Sequence, residues 1–237
     1  ITPVWAPQGL QLEDGWLYLP EQVTEFSQMF YSRSRAGNKN VTKLVLPKSM
    51  TEIQNVIVKH SSSVAIMLPE DGDTKYHVNS IFSKVNSNYN ATLVLPSSMK
   101  NYTYEGNAFA GITELVIPAE ITEFPRDLVI GMKHIKSIKV EEGNAALKVV
   151  DGAVYSADGK TLYWWPSRNT NKIETIEIPE GVEIIATYAF SSFSAKDLIT
   201  YVLPSTLKEI QDFAIYGSIT CVRVVANKCS DDVQVGA

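Results

Sequence analysis

The most regular feature of this chain is a four-residue pattern of an apolar residue, any residue, a second apolar residue and proline. The pattern occurs seven times. Its alternation of apolar and free positions is typical of a β-strand, whose side chains point to opposite faces in turn. Proline then ends the strand because it has no N–H to donate to a neighbouring strand. We therefore predict short strands at 17–20, 44–47, 66–69, 93–96, 115–118, 176–179 and 201–204.

The prolines that end the pattern recur at regular intervals. From Pro20 to Pro118 the steps are 27, 22, 27 and 22 residues, and the step from Pro179 to Pro204 is 25. A repeat of this length cannot bury its own apolar face, so copies stack and their strands pair in parallel. Two degenerate copies without the proline bring the expected number of strands to nine. These copies lie at 138–141 and 222–225.

A second signature follows the proline. The positions three and six residues after it are apolar in six of the seven copies, from Val23 and Phe26 to Leu207 and Ile210. We expect these side chains to bring the returning chain back onto the core of each coil. The copy that ends at Pro69 is the exception, because a polar turn, Glu70-Asp71-Gly72-Asp73, follows it.

The repeating unit has a recognisable family likeness. The pattern L-x-L-P-x-x-V-x-x-I, followed by Ala189-Phe190, resembles the BspA-like leucine-rich repeat family of bacterial cell-surface proteins. The resemblance is best over 176–215 and extends over about 16–225, although the next copy carries Ala214-Ile215 instead of Ala-Phe. It implies a β-rich leucine-rich-repeat solenoid, a right-handed coil of about nine short parallel strands with few or short helices.

One insertion interrupts the repeat at 148–166. Asp158-Gly159 lies between two alternating apolar runs, which predicts a β-hairpin with a two-residue turn at those residues and Tyr155 opposite Leu162. Similar hairpins interrupt repeats in the BspA-like family. We expect residues 1–15 to cap the solenoid through Trp5, Leu10 and Leu12, and residues 226–237 to form a C-terminal cap or tail.

Composition and charge exclude several classes of protein. Val and Ile, with 23 and 20 residues, outnumber Leu with 16, which favours strands. The net charge is −5 and no basic block is present, so nucleic acid is an unsuitable partner. No apolar run approaches the ~20 residues of a membrane-spanning helix. Because the chain begins with Ile1 and not Met, we expect that an upstream signal or anchor segment has been removed.

The sequence contains little that predicts catalysis. None of His60, His77 and His134 has a second His, Cys or acid at ligand spacing, so no metal or cofactor site is expected. No nucleophile motif is present, and we predict no catalytic residues and no enzyme activity. Cys221 and Cys229 can pair with each other or remain free thiols.

The outward side chains are the remaining candidates for function. The middle residue of each pattern points away from the core, and the first five of these residues are apolar or aromatic: Tyr18, Val45, Met67, Val94 and Val116. With Trp16, they form a stripe that is typical of a binding surface; the alternatives are strand propensity alone and covering loops. Trp164 and Trp165 are further candidates, one facing out, unless both pack the hairpin onto the solenoid.

We therefore expect a non-catalytic module that recognises a macromolecule, displayed on the cell surface or secreted. A protein or another host-surface macromolecule is the expected partner, and a glycan is the alternative. The competing hypothesis is a structural spacer, or a segment of a longer surface repeat array, with no ligand of its own.

Overall fold

The computed structural model describes residues 11–13, 15–24, 43–54, 63–81, 90–166, 174–191, 198–215, 221–225 and 233–236. These residues contain nineteen strands and one short helix, α1 (Arg126–Ile130). They fall into two compact units. The first unit comprises Ile1–Ile121 with Gly131–Ile135, and the second comprises Thr122–Ile130 with Lys136–Ala237.

The strands are short throughout, with two to five residues each. In chain order they are β1 (Gln11–Glu13), β2 (Trp16–Tyr18), β3 (Lys43–Val45), β4 (Glu52–Ile53), β5 (Ser63–Met67), β6 (Tyr76–Val78), β7 (Asn90–Val94), β8 (Tyr102–Tyr104), β9 (Glu114–Ile117), β10 (Ser137–Val140), β11 (Leu147–Val150), β12 (Ala153–Ser156), β13 (Thr161–Trp164), β14 (Glu174–Glu177), β15 (Ile184–Ile185), β16 (Leu198–Val202), β17 (Glu209–Ile210), β18 (Cys221–Val225) and β19 (Gln234–Val235).

The seven copies that end in proline and the two that lack it all form strands, which confirms the nine expected from the sequence. In the first unit β2, β3, β5, β7 and β9 are neighbours in that order in a parallel sheet, with β1 antiparallel to β2. In the second unit β14, β16 and β18 form a parallel sheet. The pairing extends one residue beyond the strands, since the N–H of Leu46 donates to the carbonyl of Met67 at 3.1 Å. Proline follows at once and ends the ladder.

The residue three positions after the proline closes a reverse turn. The N–H groups of Met50, Val182 and Leu207 each donate to the carbonyl of the preceding proline, at 3.1, 3.3 and 3.3 Å. The chain then enters a second parallel sheet, which the sequence pattern does not predict as a separate element. This sheet is β4-β6-β8 in the first unit, and in the second unit β13, β15, β17 and β19 run in parallel.

The irregular copy after Pro69 differs by one residue. Its polar turn is closed by a hydrogen bond from the N–H of Thr74 to the carbonyl of Asp71 at 2.7 Å. Tyr76, seven and not six residues after the proline, then pairs with Tyr102 and is buried. The exception in the sequence is therefore a turn with one extra residue, and the coil keeps its second strand.

Each unit has its own apolar core. In the first unit Leu44, Met50, Ile53 and Ile66 are at most 1% exposed. In the second unit the core contains Leu162, Ile185, Phe190 and Tyr201, which are also at most 1% exposed. Burial of one such side chain stabilises the fold by about 1.5–3 kcal/mol.

The insertion is a three-stranded antiparallel unit. Tyr155 lies opposite Leu162, as predicted. The predicted two-residue turn at Asp158-Gly159 is wrong, because four residues separate β12 from β13. The two-residue turn is instead Asp151-Gly152, between β11 and β12, where both residues have positive φ, 51° and 85°. This combination defines a type I′ turn.

The hairpin also continues a sheet. β13 pairs in parallel with β15, so the insertion supplies the neighbouring strand of the second unit's second sheet.

Some expectations concern residues outside the described ranges: Trp5, Leu10, Phe26, His60 and Cys229. Within the described ranges, the structure contains no helix with the length and apolar character that crossing a membrane requires.

Candidate functional site

The five middle residues of the first unit lie side by side. Strand register pairs Tyr18 with Val45, Val45 with Met67, Met67 with Val94 and Val94 with Val116. Adjacent strands are ~4.8 Å apart, so this apolar row is about 19 Å long. We call these five residues the apolar row.

The apolar row lies on the face opposite the core. The residues that precede its members, such as Leu44, Ile66 and Leu115, are at most 1% exposed. Tyr18 is 37% exposed, and Val94, at 9%, is the least exposed member. The other three are partly exposed. Val94 is therefore buried with the core, and the other four members of the row contribute side chains to the surface of the sheet.

A polar row runs beside the apolar row, two residues earlier on each strand. At one end the Lys43 Nζ lies 5.5 Å from the centre of the Trp16 ring, within range of a cation–π interaction. At the other end the Thr92 hydroxyl donates to Glu114 Oε1 at 3.2 Å. Each charged residue of this row, Lys43 on β3 and Glu114 on β9, therefore contacts a neighbour within the row. The polar row consists of Trp16, Lys43, Ala65, Thr92 and Glu114.

The two tryptophans of the hairpin are placed differently. Trp164 is 1% exposed, so it lies in the core and is not available to a ligand at the surface. Trp165 is partly buried, with its ring centre 6.1 Å from that of Phe190, and its backbone N–H donates to the carbonyl of Ala189 at 2.9 Å. The expectation that Trp164 belongs to a binding surface is corrected, and Trp165 remains partly exposed.

The corresponding face of the second unit is different. Its middle residues include Lys139 and Glu177, both exposed, and the partly exposed Val202. Arg223 occupies the same position of β18, where it pairs with Thr200. An apolar row of adjacent residues is therefore a feature of the first unit among the described strands.

The structure brings one histidine close to an acid that the sequence separates. His77 Nδ1 lies 3.0 Å from the Thr103 hydroxyl, and its Nε2 lies 3.6 Å from Glu105 Oε1. Pairing of β6 with β8 creates this contact across 26–28 residues, so spacing along the chain could not show it. The Thr103 hydroxyl also lies 3.2 Å from the carbonyl of Tyr76, and the tautomer of His77 decides which of these two neighbours accepts its proton. Within the described ranges, no group of three or more His, Cys, Asp or Glu side chains forms a metal site.

Carboxylates directly after the proline link successive coils, a feature that apolar patterning does not reveal. Glu180 accepts hydrogen bonds from the N–H and the hydroxyl of Ser205, with the shortest contact at 2.8 Å. Glu70 binds Ser97 in the same way. Glu21 accepts the N–H groups of Lys48 and Ser49 at 3.1 and 2.8 Å. We call each of these three contacts a carboxylate clasp.

Two buried phenols are structural. The rings of Tyr76 and Tyr102 stack with centres 4.8 Å apart. Their hydroxyls donate to carbonyls of earlier coils, those of Lys48 and Pro69. Burial raises the pKa of both phenols, so they stay protonated at neutral pH.

An ion-pair row lies along the second unit. Glu183 Oε2 is 2.6 Å from Lys208 Nζ, and its Oε1 is 3.0 Å from Lys160 Nζ. The hydrogen bond from Lys208, followed by that from Lys160, lowers the pKa of Glu183. The charge of the Glu183 carboxylate is therefore already balanced by the two neighbouring lysines.

Solved structures that resemble the chain include those of two bacterial proteins. One is the crystal structure of the pneumococcal vaccine antigen PcpA, 19% identical with a TM-score of 0.41. The other is a leucine-rich repeat protein from Eubacterium ventriosum, 14% identical with a TM-score of 0.41. Each match covers 90% of this chain, which spans only 64% and 60% of the two matched chains. No curated protein matches the chain.

A family model matches most of the sequence. The BspA type leucine rich repeat region matches 16–136 and 168–233 in six copies. The unmatched segment between these ranges contains the hairpin strands β11, β12 and β13. The matched ranges cover well over half of the 237 residues and contain eight of the nine pattern strands. The chain therefore belongs to the BspA-type leucine-rich repeat family.

Proposed function

We propose that this chain is a non-catalytic recognition module that binds another macromolecule through the exposed sheet face of its first unit. Repeat folds of this kind present extended surfaces to protein partners. The observation that carries the proposal is the strand register, which sets five apolar or aromatic side chains side by side from Tyr18 to Val116.

The chemistry of the face supports binding. Contiguous apolar surface is uncommon on soluble proteins and marks interaction sites. Trp16 and Tyr18 lie on the same strand at one end of the face, and these two residue types are enriched among the residues that dominate binding energy. The polar row beside them adds a rim of charged and hydroxyl groups, as binding interfaces commonly have.

Among the described residues, the contact between His77 and Glu105 is the one that pairs a histidine with an acid, and its surroundings do not favour catalysis. The side chains of His77 and Glu105 are 37% and 60% exposed, so this pair is open to water. A catalytic group needs a poised proton acceptor or nucleophile within reach of a substrate.

We infer display on the bacterial cell surface or secretion from membership of the family.

The test is a binding screen of the purified chain against host matrix proteins, cell-surface proteins and glycans. A triple variant, Val45→Thr, Met67→Gln and Val116→Thr, makes the row polar with little change in volume. Val202→Thr, at the equivalent position of the second unit, is the matched control. Circular dichroism and urea unfolding establish that both variants fold.

We expect at least one ligand, whose binding the triple variant weakens by about tenfold or more and the control leaves unchanged. A ligand that binds the triple variant normally would place the site elsewhere, with Trp165 the next residue to change. No ligand at all would contradict recognition and favour the spacer.

The spacer alternative is favoured by one observation of its own. Val224 and Val235 align with Tyr201, which lies in the core, and with Ile210, which packs against that core. They are nevertheless 49% and 70% exposed. This end of the second unit thus presents core-type side chains on which a further coil can stack.

A further inference from the structure

We propose that a second copy of this chain pairs with the outer edge of β11, so that the β11 strands of two copies lie antiparallel around a two-fold axis at Val149. The family model does not match this part of the chain, which lies between its two matched ranges. The contact uses no residue of the apolar row, so this inference stands apart from the proposed function.

The hairpin register shows which backbone groups of β11 face outward. Among the described strands, β11 is the last of the six-stranded sheet, with β12 on its inner side. Val150 lies opposite Ala153 across the two-residue turn, and the N–H of Ala157 donates to the carbonyl of Ala146 at 2.8 Å. Val150 and every second residue before it therefore bond to β12, and Val149 directs its N–H and C=O to the outer edge.

The side chains at this edge are exposed on both faces of the sheet. Val149 is 37% exposed, whereas Val154, opposite it on β12, is buried. Val150 is 44% exposed, whereas its neighbour Ala153 is buried. Neighbouring side chains of a strand point to opposite faces, so a partner resting on one face would cover only one of the two valines. A strand added at the edge would cover both, as β11 and β13 cover β12.

The charge of β11 does not protect the edge. Exposed edge strands commonly carry a lysine that opposes pairing with another chain. The lysine of β11 is Lys148, and its ammonium lies over the loop between β12 and β13, since a Cβ at Gly159 would be 2.9 Å from Lys148 Nζ. That loop is on the inner side of β11, so the charge is directed away from the outer edge.

The open stretch of the edge is short and bounded at both ends. At one end Leu147 is buried, and its N–H donates to the side-chain oxygen of Asn144 at 2.8 Å. At the other end the type I′ turn begins at Asp151. The strand that fits this stretch is equally short and has an apolar centre, and β11 of a second copy meets both conditions.

The order of charges favours antiparallel pairing of β11 with itself. Lys148 precedes Val149, and Asp151 follows Val150. A two-fold axis at Val149 brings Lys148 into register with Val150 of the second copy, one residue from its Asp151. A parallel arrangement would set like charges side by side, which is unfavourable. In the antiparallel arrangement the Val149 residues of the two copies exchange both backbone hydrogen bonds.

Such a contact is small. It buries less than the ~1,200–2,000 Å² of a standard interface, so we expect a dimer with a dissociation constant on the order of 0.1–1 mM. Sedimentation equilibrium of the full chain between about 10 μM and 1 mM measures it. Val149→Lys places two like charges at the axis, and Val202→Lys, at a partly exposed position of another sheet in the same unit, is the matched control. Circular dichroism establishes that both variants fold.

Cross-linking tests the register independently of the charge variant. Residues opposite each other in a bonded antiparallel pair have Cα atoms ~5.5 Å apart, within the range that a disulfide spans. Val149→Cys is therefore introduced together with Cys221→Ser and Cys229→Ser, and Val202→Cys in the same background is the control. Mild oxidation followed by gel electrophoresis measures the rate of covalent dimer formation.

We expect the mean mass to rise toward that of a dimer with concentration, Val149→Lys to weaken association about tenfold or more, and Val202→Lys to leave it unchanged. Val149→Cys should form covalent dimers at least about tenfold faster than Val202→Cys. A chain that stays monomeric at 1 mM, association that Val149→Lys leaves intact, or equal cross-linking rates would overturn the inference. If Val149→Lys does not fold, the two cross-linking rates decide. The proposed function is unaffected by each of these outcomes.

Discussion

At the scale of single residues, a carboxylate immediately after the proline joins one coil to the next in three copies of the pattern. An N–H at the start of this turn has no partner within its own strand ladder, and a carboxylate of the preceding coil supplies one at Glu21, Glu70 and Glu180. Ser49 and Thr206 add a second link, since their hydroxyls donate to the carbonyls of Val23 and Val182. Polar side chains thus fix the stacking of apolar coils.

Removal of one clasp should lower stability by a modest amount. Glu180→Gln keeps the shape of the side chain but replaces one acceptor oxygen with a donor and removes the charge. Because the site is exposed, we expect the free energy of unfolding to fall by about 0.5–1 kcal/mol in urea titrations. Glu177→Gln, on the exposed face of β14, is the control and should change stability by less than about 0.5 kcal/mol. Equal values for the two variants would contradict a stabilising clasp.

Glu183 should make stability depend on acid pH. Its pKa is lowered below the ordinary 4.5 by hydrogen bonds from Lys208 and Lys160, so the folded state favours the charged carboxylate. Its contribution is therefore present above the unfolded pKa and is lost as the pH falls through the lower folded value. Between about pH 5 and pH 3, urea midpoints of the original chain should fall more steeply than those of Glu183→Gln. Parallel curves would show that the ion-pair row contributes nothing, and Glu141→Gln serves as the control.

At the scale of elements, the two connections of the hairpin show why turn sequence alone can mislead. Both contain Asp-Gly, but only Asp151-Gly152 has the two positive φ values of a two-residue turn. At Asp158 the carboxylate accepts hydrogen bonds from the Ser156 hydroxyl at 2.6 Å and the Lys160 N–H at 3.0 Å, which holds a wider loop. The side chain of the Asp, and not the dipeptide, separates the two turns.

Gly152→Ala should destabilise the hairpin through the backbone. Gly152 has φ of 85°, where a Cβ is strained, and the nearest atom that this Cβ would meet is Pro166 Cγ at 3.5 Å, an ordinary contact. The loss should therefore be backbone strain of about 1–2 kcal/mol in the free energy of unfolding. Gly106→Ala, with open space around it and no positive φ, is the matched control and should stay within about 0.5 kcal/mol. A neutral Gly152→Ala would contradict the type I′ turn.

At the scale of the whole molecule, the repeat could be read from the sequence because its apolar side chains have a fixed period. The strands, their ends and the apolar row all follow from positions such as Leu44, Val45 and Pro47. The second sheet could not, because strands of two residues, such as Ile184–Ile185, carry no alternation long enough to detect. The contact of His77 with Glu105 likewise depends on which strands become neighbours. The burial of Trp164 depends on the parallel docking of β13 on β15, which a hairpin signal does not contain.

Side chains at the same register position in successive coils of the second unit should contribute less to stability toward the last strand. Ile185, Ile210 and Val235 occupy equivalent register positions, but Ile185 is 1% exposed and Val235 is 70% exposed. Ile185→Ala should therefore cost about 2–5 kcal/mol, whereas Val235→Ala should cost less than about 0.5 kcal/mol. Urea unfolding of both variants measures the difference. A large loss at Val235 would mean that this end of the core is covered in solution.

The carboxylate clasps also bear on how such a chain can grow. Glu21 and Glu70 both span the 27-residue steps, while Lys48 and Ser97 stand where the 22-residue steps would need a carboxylate. In the first unit, a coil that supplies an accepting carboxylate is therefore followed by a coil that supplies the donating N–H groups. The period of such a pair is 49 residues, which is the step from Pro20 to Pro69 and from Pro69 to Pro118. A gene segment that encodes a single coil would disrupt this alternation when duplicated, whereas one that encodes a pair would preserve it. By spacing and by contacts, the structural repeat from Pro20 to Pro118 is therefore the coil pair.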